Sequence, residues 1–175
     1  MPAGATYEPI ATSTLGSDSN YITFSSISGY TDIVAVLNVR STTASNFSDN
    51  YVRLATGGGG VDTGTNYSYT RLVGDGTSPT SSRTTSQTQL VGGIIPANNA
   101  GANVFGLCIL HFMSYTGSTN KTVLTNCASD NNGSGYAIRD VALWRNTGAI
   151  TSIQFFTNGN YKTGSTFTLY GIKAA

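Results

Sequence analysis

Residues 32–40 of the chain are Asp32-Ile-Val-Ala-Val-Leu-Asn-Val-Arg40, and every second side chain of this run is apolar. One face carries Ile33, Ala35, Leu37 and Val39, and Asn38 and Arg40 end the other. Side chains of a β-strand point alternately to the two faces of its sheet, so a period of two is typical of a strand. We therefore predict a central strand here, with the apolar face directed into the core.

A second apolar run, residues 104–115, has no polar face. It reads Val104-Phe-Gly-Leu-Cys-Ile-Leu-His-Phe-Met-Ser-Tyr115. Its length and composition fit a helix or a strand, and the turn-rich sequence around it favours a strand. A strand that is apolar on both faces needs cover on both faces. We predict a strand over 103–115, covered on one side by a second sheet and on the other by a neighbouring element or subunit.

Short runs rich in Val, Ile, Tyr, Phe and Thr recur along the whole chain, between clusters of Gly, Asn, Asp and Ser. This pattern predicts an all-β fold of about ten strands in two antiparallel sheets packed as a sandwich, and the strand number favours a jelly roll. Helical stripes with a cap are missing, so little helix is expected. The strands are predicted near 7–15, 20–27, 31–41, 50–56, 66–73, 85–95, 103–115, 121–127, 135–145, 149–156 and 165–173.

The same pattern divides the chain into a short N-terminal arm, residues 1–6, and a single sandwich domain, residues 7–175. Two runs rich in glycine and hydroxyl residues, 57–66 and 74–82, are predicted to be surface loops. Residues 1–7 lack the basic and apolar regions of a signal peptide, and no uncharged apolar run reaches membrane-spanning length. We expect neither a signal peptide nor a membrane partner.

Charged residues make up only 10% of the chain and nearly cancel, leaving a net charge of +1. The nine basic residues are scattered among eight acidic ones, so they form no stripe that could follow a phosphate backbone. We therefore expect no nucleic-acid partner. So few charges also leave little repulsion between copies, which makes a homo-oligomer plausible.

The residues that could support catalysis are few. His111 is the only histidine and Glu8 the only glutamate, so an acid–base pair would need the aspartates. The aspartates considered are Asp32, Asp62, Asp75, Asp130 and Asp140. None forms a recognisable catalytic pair in the sequence, and Asp140 is expected to pair with a basic residue across strands. A lone strand histidine is more often a hydrogen-bonded core or interface residue than a catalytic base. We predict no catalytic residue.

Cofactor and metal motifs are also missing from the sequence. The loops Asp62-Thr-Gly-Thr-Asn66 and Asp130-Asn-Asn-Gly133 offer oxygen ligands for calcium, yet neither has EF-hand spacing, and Asx turns account for such residues better. Gly57–Gly60 lacks the lysine and hydroxyl residue of a phosphate-binding loop. Exposed tyrosines could bind sugar rings, although Tyr67 and Tyr69 are better explained by cross-strand packing. No cofactor or metal site is predicted.

The two cysteines, Cys108 and Cys127, leave two alternatives open. Buried cysteines are ordinarily small apolar side chains with a free thiol, which favours two free cysteines. A disulfide is the other alternative, because it depends on a geometry that spacing does not determine.

Four segments together resemble small virion proteins of tailed phages, of the kind common in marine and cyanobacterial phages. They are Tyr30-Thr-Asp-Ile-Val-Ala-Val-Leu-Asn-Val-Arg40, Thr65-Asn-Tyr-Ser-Tyr-Thr-Arg-Leu72, Ile150-Thr-Ser-Ile153 and Gly164-Ser-Thr-Phe-Thr-Leu-Tyr-Gly-Ile-Lys-Ala-Ala175. The resemblance covers residues 7–175, but the matching segments encode strands and turns, so it transfers no functional residue.

The resemblance implies a non-enzymatic structural protein of the virion, assembled in the host cytoplasm. The leading hypothesis is a capsid decoration or cement subunit that forms a homo-oligomer, favoured as a trimer, and binds the major capsid protein or tail proteins. The alternative is a tail or head-fibre adhesin that binds host surface glycans through its Tyr-, Asn- and Gly-rich loops.

Overall fold

A computed structural model describes residues 6–173, which form twelve β-strands and no helix. The predicted N-terminal arm lies outside the described residues except for Thr6. The strands are β1 (Tyr7–Thr14), β2 (Ser19–Ser25), β3 (Asp32–Val39), β4 (Phe47–Ala55), β5 (Tyr67–Gly74), β6 (Pro79–Gln87), β7 (Leu90–Pro96), β8 (Gly106–Met113), β9 (Lys121–Asp130), β10 (Gly135–Trp144), β11 (Ser152–Tyr161) and β12 (Thr166–Ile172).

The strands form two antiparallel sheets, which confirms the predicted sandwich. The eight-stranded sheet has the order β1-β12-β3-β8-β9-β10-β5-β6, and the four-stranded sheet has the order β2-β11-β4-β7. Four of the strand pairs are those of one long hairpin rolled up on itself: β1 with β12, β2 with β11, β3 with β8 and β4 with β7. The chain alternates between the sheets as it follows this hairpin. This is the topology of an eight-stranded jelly roll.

Four further strands lengthen one sheet of the jelly roll. The hairpin β5–β6 is inserted between β4 and β7, and β9 with β10 is inserted between β8 and β11. The predicted number of about ten strands was therefore too low. The predicted strand 85–95 spans the end of β6 and most of β7, because a bend at Thr88–Gln89 separates these two strands. The predicted loop 74–82 is also too long, since β6 begins at Pro79.

The core lies between the two sheets and contains the residues that the alternation predicted. Ile33, Ala35, Leu37 and Val39 of β3 are all fully buried. The indole of Trp144 stacks on the ring of Tyr67, with ring centroids 6.0 Å apart. Burial raises the pKa of the Tyr67 hydroxyl, which donates a hydrogen bond to the carbonyl of Asp62. Tyr67 is therefore a core residue, as cross-strand packing predicted.

The expectation of two free cysteines was wrong. Cys108 of β8 and Cys127 of β9 lie directly opposite each other in the ladder, with Cα atoms 4.1 Å apart, and form a disulfide. Gly93 of β7 packs against this bond: it has a φ of +112°, and a Cβ there would lie 2.4 Å from the Cys127 sulfur. The sequence does not show this register, which brings the two thiols together.

Candidate functional site

The outer face of the eight-stranded sheet is the largest surface that the fold leaves uncovered, because the four-stranded sheet packs on the opposite face only. We call it the outer face. On β8 the alternation is clear: Cys108, Leu110 and Phe112 are buried, and the side chains between them point outward. The predicted cover of one face of β8 by the second sheet is confirmed. No second layer of the described chain covers the other face.

Six of the seven large hydrophobic residues that the described chain exposes lie on the outer face. They are Tyr7, Leu72, Leu107, Ile109, Met113 and Val141. Leu107, Ile109 and Met113 lie on β8, Val141 on β10 and Leu72 on β5, and β9 lies between β8 and β10 in the sheet. Tyr7 lies on β1 at the edge of the sheet, where its ring packs edge-on against Tyr170 of β12. The seventh, Tyr21, lies on the four-stranded sheet.

The strand register joins these residues into continuous rows across the sheet. One row is Tyr170, Val34, His111, Leu124, Val141 and Thr70. The next is Thr168, Val36, Ile109, Asn126, Arg139 and Leu72. Directly opposed residues on one face of a sheet are in contact distance. Leu124 therefore contacts Val141 in the first row and Val36 contacts Ile109 in the second, while Asn126 and Arg139 separate Ile109 from Leu72. Within these two rows Arg139 is the only residue with a permanent charge.

His111, the only histidine, lies in the middle of the outer face. Its Nε2 is 2.9 Å from Oδ2 of Asp32, and Oδ1 of the same carboxylate accepts a hydrogen bond from the backbone N–H of Ser114, 2.6 Å away. Both side chains are about one-third exposed or less. Within residues 6–173, this is the only hydrogen bond of the His111 side chain. The pair therefore resembles a self-contained polar contact, which was the structural interpretation of this histidine.

Asp140 lies on the inner face of β10 and is fully buried. It faces Arg71 of β5 directly in the ladder, and the guanidinium contacts both of its carboxylate oxygens, at 3.0 and 3.2 Å. Asp49 approaches the same guanidinium at 3.5 Å. Burial raises the pKa of Asp140, while the arginine acts to lower it. Cross-strand pairing was predicted correctly, but the sequence did not indicate Arg71 as the partner.

The two candidate calcium loops use their carboxylates to hold their own turns. Asp62 accepts hydrogen bonds from the backbone of Gly64 (2.8 Å), the amide of Asn66 (2.9 Å) and the indole of Trp144 (2.7 Å). Burial acts to raise the pKa of Asp62, but these donors together hold it below its ordinary value. Asp130 accepts from the backbone of Asn132, 2.7 Å away. Both loops are Asx turns, the interpretation that the sequence favoured.

The remaining acidic candidates lie far apart in the fold. Asp75 caps the β5–β6 turn by accepting from the backbone N–H groups of Thr77 and Ser78, which lowers its pKa. Glu8 forms an exposed ion pair with Lys173, 2.9 Å away. Within residues 6–173, no three His, Cys, Asp or Glu side chains converge on a common point that could hold a metal ion. No helix of this part of the chain is long and apolar enough to cross a membrane.

Comparison of the chain with models of protein families, with curated proteins and with solved structures gave no match. The functional argument therefore depends on the surfaces themselves. The sequence located one strand of the outer face, β8, because that strand is apolar on both sides. It did not indicate that β5, β9 and β10 continue the same patch, since their outward positions mix apolar and polar residues and only the register aligns them.

Proposed function

We propose that the chain is a non-enzymatic structural subunit of a tailed-phage virion, a capsid decoration or cement protein that acts as a homo-oligomer. The observation that carries the proposal is the outer face of the eight-stranded sheet. The resemblance to small phage virion proteins agrees with it, and jelly rolls include many viral capsid domains. The fold alone does not determine a function, so the argument depends on the properties of this face.

The outer face is large enough to form a stable interface. Strands lie about 4.8 Å apart and advance about 3.3 Å per residue, so six strands with four outward positions each cover about 24 by 26 Å, on the order of 600 Å². A specific interface needs at least about 500 Å² from each partner. Polar residues such as Thr168, Asn126 and Arg139 share this area with the apolar ones, so its continuous apolar part is smaller than the whole face.

The His111–Asp32 pair at the centre of this face also tolerates burial. A polar group that loses water without a hydrogen-bond partner destabilises the complex. The carboxylate of Asp32 already accepts from the Ser114 backbone and is hydrogen-bonded to His111 within its own chain. Its oxygens therefore keep these partners when water is removed, and the apolar residues around the pair have no polar group to satisfy.

We infer that the partner on this face is a second copy of the chain. A partner with a strongly charged surface would need opposite charges, and the two central rows offer only Arg139 and the internally paired His111. A second copy presents the same nearly neutral apolar patch, so apolar area meets apolar area. A contact of this face with the same face of another copy is isologous and closes as a twofold dimer, whereas the trimer favoured from the sequence would join this face to a different surface of its neighbour.

Self-association is measured on the purified full chain by sedimentation. We expect a mass that is a multiple of 18.2 kDa and a shift to the single-chain mass in Ile109→Lys. The matched control is Tyr21→Lys, which places the same charge at an exposed aromatic residue of the other sheet. A wild-type chain that stays monomeric at about 100 μM, or an Ile109→Lys variant that remains oligomeric, contradicts the interface.

The decoration role has its own test. A subunit that binds only the assembled shell shifts the equilibrium away from disassembly, so its loss should lower shell stability. Particles that lack this protein are expected to release their genome at a lower temperature or chelator concentration than complete particles. Adding purified wild-type chain should restore the stability, while Ile109→Lys should not. Equal stability with and without the protein refutes the decoration role, whatever the oligomeric state.

A further inference from the structure

The outer side of the four-stranded sheet, opposite the proposed interface, carries an open groove of about 810 Å³. Its floor is formed by β2 and β11, and one wall is the glycine-rich loop that follows β4. The groove is lined by residues that include Tyr21, Thr23, Ser152, Gln154, Gly60 and Val61. None of its lining residues is charged. Its volume falls within the usual range for small-molecule sites, about 300–1,000 Å³.

An exposed tyrosine stands at one end of this groove. Tyr21 is 54% exposed, and its ring forms no aromatic pair with another described residue. It lies directly opposite Phe156 in the register, and Phe156 is opposite Tyr51 on β4. The rings of Phe156 and Tyr51 pack on each other, with centroids 5.3 Å apart. The row therefore holds a fixed aromatic base with one free ring beside the groove.

The wall of the groove includes three consecutive glycines, Gly58, Gly59 and Gly60. Gly57 and Gly58 have φ values of +62° and +75°, a conformation that favours glycine. Gly59 and Gly60 do not have such φ values, and a Cβ on Gly60 would meet no atom within 4 Å. The turn therefore does not require glycine at Gly60. Gly60 lines the groove together with Gln154 and Tyr21, and a side chain there would meet open space.

We propose that this groove binds a neutral oligosaccharide. The C–H face of a sugar ring packs on an exposed aromatic ring such as Tyr21, whose hydroxyl remains in water. The hydroxyls of Thr23 and Ser152 and the amide of Gln154 each offer both a donor and an acceptor, as sugar hydroxyls do. The Gln154 amide nitrogen donates to the Thr23 hydroxyl (3.3 Å), and its carbonyl oxygen can accept from a sugar. The lining residues are uncharged. Arg53, which lies opposite Gln154 in the register, is stacked on Phe156 and donates to the carbonyl of Thr88, so it is already engaged within the chain and is not a free cation for a sulfated or carboxylated sugar. The inference does not depend on the decoration role, since the groove is remote from the outer face.

The test uses the full chain on an array of immobilised oligosaccharides that pairs neutral gluco-, manno- and galacto-hexaoses with sulfated and uronic-acid counterparts. We expect binding to at least one neutral class, reduced at least tenfold by Tyr21→Ala and by Gln154→Ala. Gly60→Leu, which places a side chain in the groove, should reduce it as well. The matched control is Tyr7→Ala, because Tyr7 is an equally exposed tyrosine (57%) on the other sheet.

Each substituted side chain is at the surface, and thermal unfolding of every variant verifies that the fold is retained. Binding to neutral sugars that is lost in Tyr21→Ala and kept in Tyr7→Ala supports the site. Binding only to anionic sugars, binding that is insensitive to Tyr21→Ala, or no binding to any sugar on the array overturns it. None of these outcomes changes the sedimentation or shell tests, so the two proposals fail separately.

Discussion

Removing the Asp62 carboxylate should destabilise the whole sandwich, although Asp62 is in a loop. Three donors converge on it, and one of them, the indole N–H of Trp144, belongs to a side chain that is 1% exposed. In Asp62→Ala, the donors on Gly64 and Asn66 can turn to water, while the buried indole loses its partner. A hydrogen bond to a charged group contributes about 1.5–3 kcal/mol, and an unsatisfied buried donor costs about 1–3 kcal/mol. We expect a loss of about 3 kcal/mol.

Urea unfolding followed by the fluorescence of Trp144, the only tryptophan, measures this loss directly. The matched control is Asp75→Ala, because Asp75 is also an Asx-turn carboxylate but accepts only from exposed backbone groups. The control should lose about 1 kcal/mol or less, by analogy with the loss of a capping residue. If Asp62→Ala unfolds within about 1 kcal/mol of Asp75→Ala, the hydrogen bond to Trp144 does not stabilise the fold as argued.

The same residue gives a pH dependence. The pKa of Asp62 is lower in the folded chain than its ordinary value. A group of this kind contributes stability above its unfolded pKa, near 3.9, and loses that contribution as the pH falls through the folded pKa. The stability difference between the wild type and Asp62→Asn should therefore be full at pH 6 and shrink below about pH 4. A difference that stays constant down to pH 2 contradicts this explanation.

Two further predictions concern buried pairs. Asp140→Asn leaves the guanidinium of Arg71 with only the more distant carboxylate of Asp49, so the free energy of unfolding should fall by about 3 kcal/mol. Combining Arg71→Met with Asp140→Leu should recover part of this loss in urea unfolding. Equal losses in the single and combined variants refute the pairing. Replacing Cys108 and Cys127 by serine opens a loop with a sequence separation of 19 and should lower the free energy of unfolding by about 3 kcal/mol under non-reducing conditions. An unchanged urea midpoint contradicts the disulfide.

The fold was predictable where a strand's own pattern shows which face is buried. β3 has one continuous apolar face, and β8 is apolar on both faces, so both strands and the sandwich followed from local sequence. The division between β6 and β7 was missed because β6 is polar and exposed on nearly every side chain, which hides its strand character. A polar edge strand without an apolar face carries no periodic signal.

The candidate surfaces were less predictable, because they depend on register and on loops. The outer face combines side chains from strands that are far apart in the sequence, and Leu72 and Ile109 fall in one row only because β9 and β10 lie between their strands. The disulfide was missed for the same reason, because only the register places Cys108 opposite Cys127. The groove brings together Tyr21, Gln154 and Gly60, and no spacing rule connects these positions.

The central claim is that the outer face of the eight-stranded sheet is covered by another copy of the chain. Met113, 46% exposed on that face, reports its cover through the rate at which peroxide converts it to the sulfoxide. The rate is measured by mass spectrometry on the purified chain and on the Ile109→Lys variant at equal concentration. If another copy covers this face, Met113 should be oxidised at least tenfold more slowly in the wild type than in the variant. Equal rates would show that the face is open to solvent and would contradict the claim.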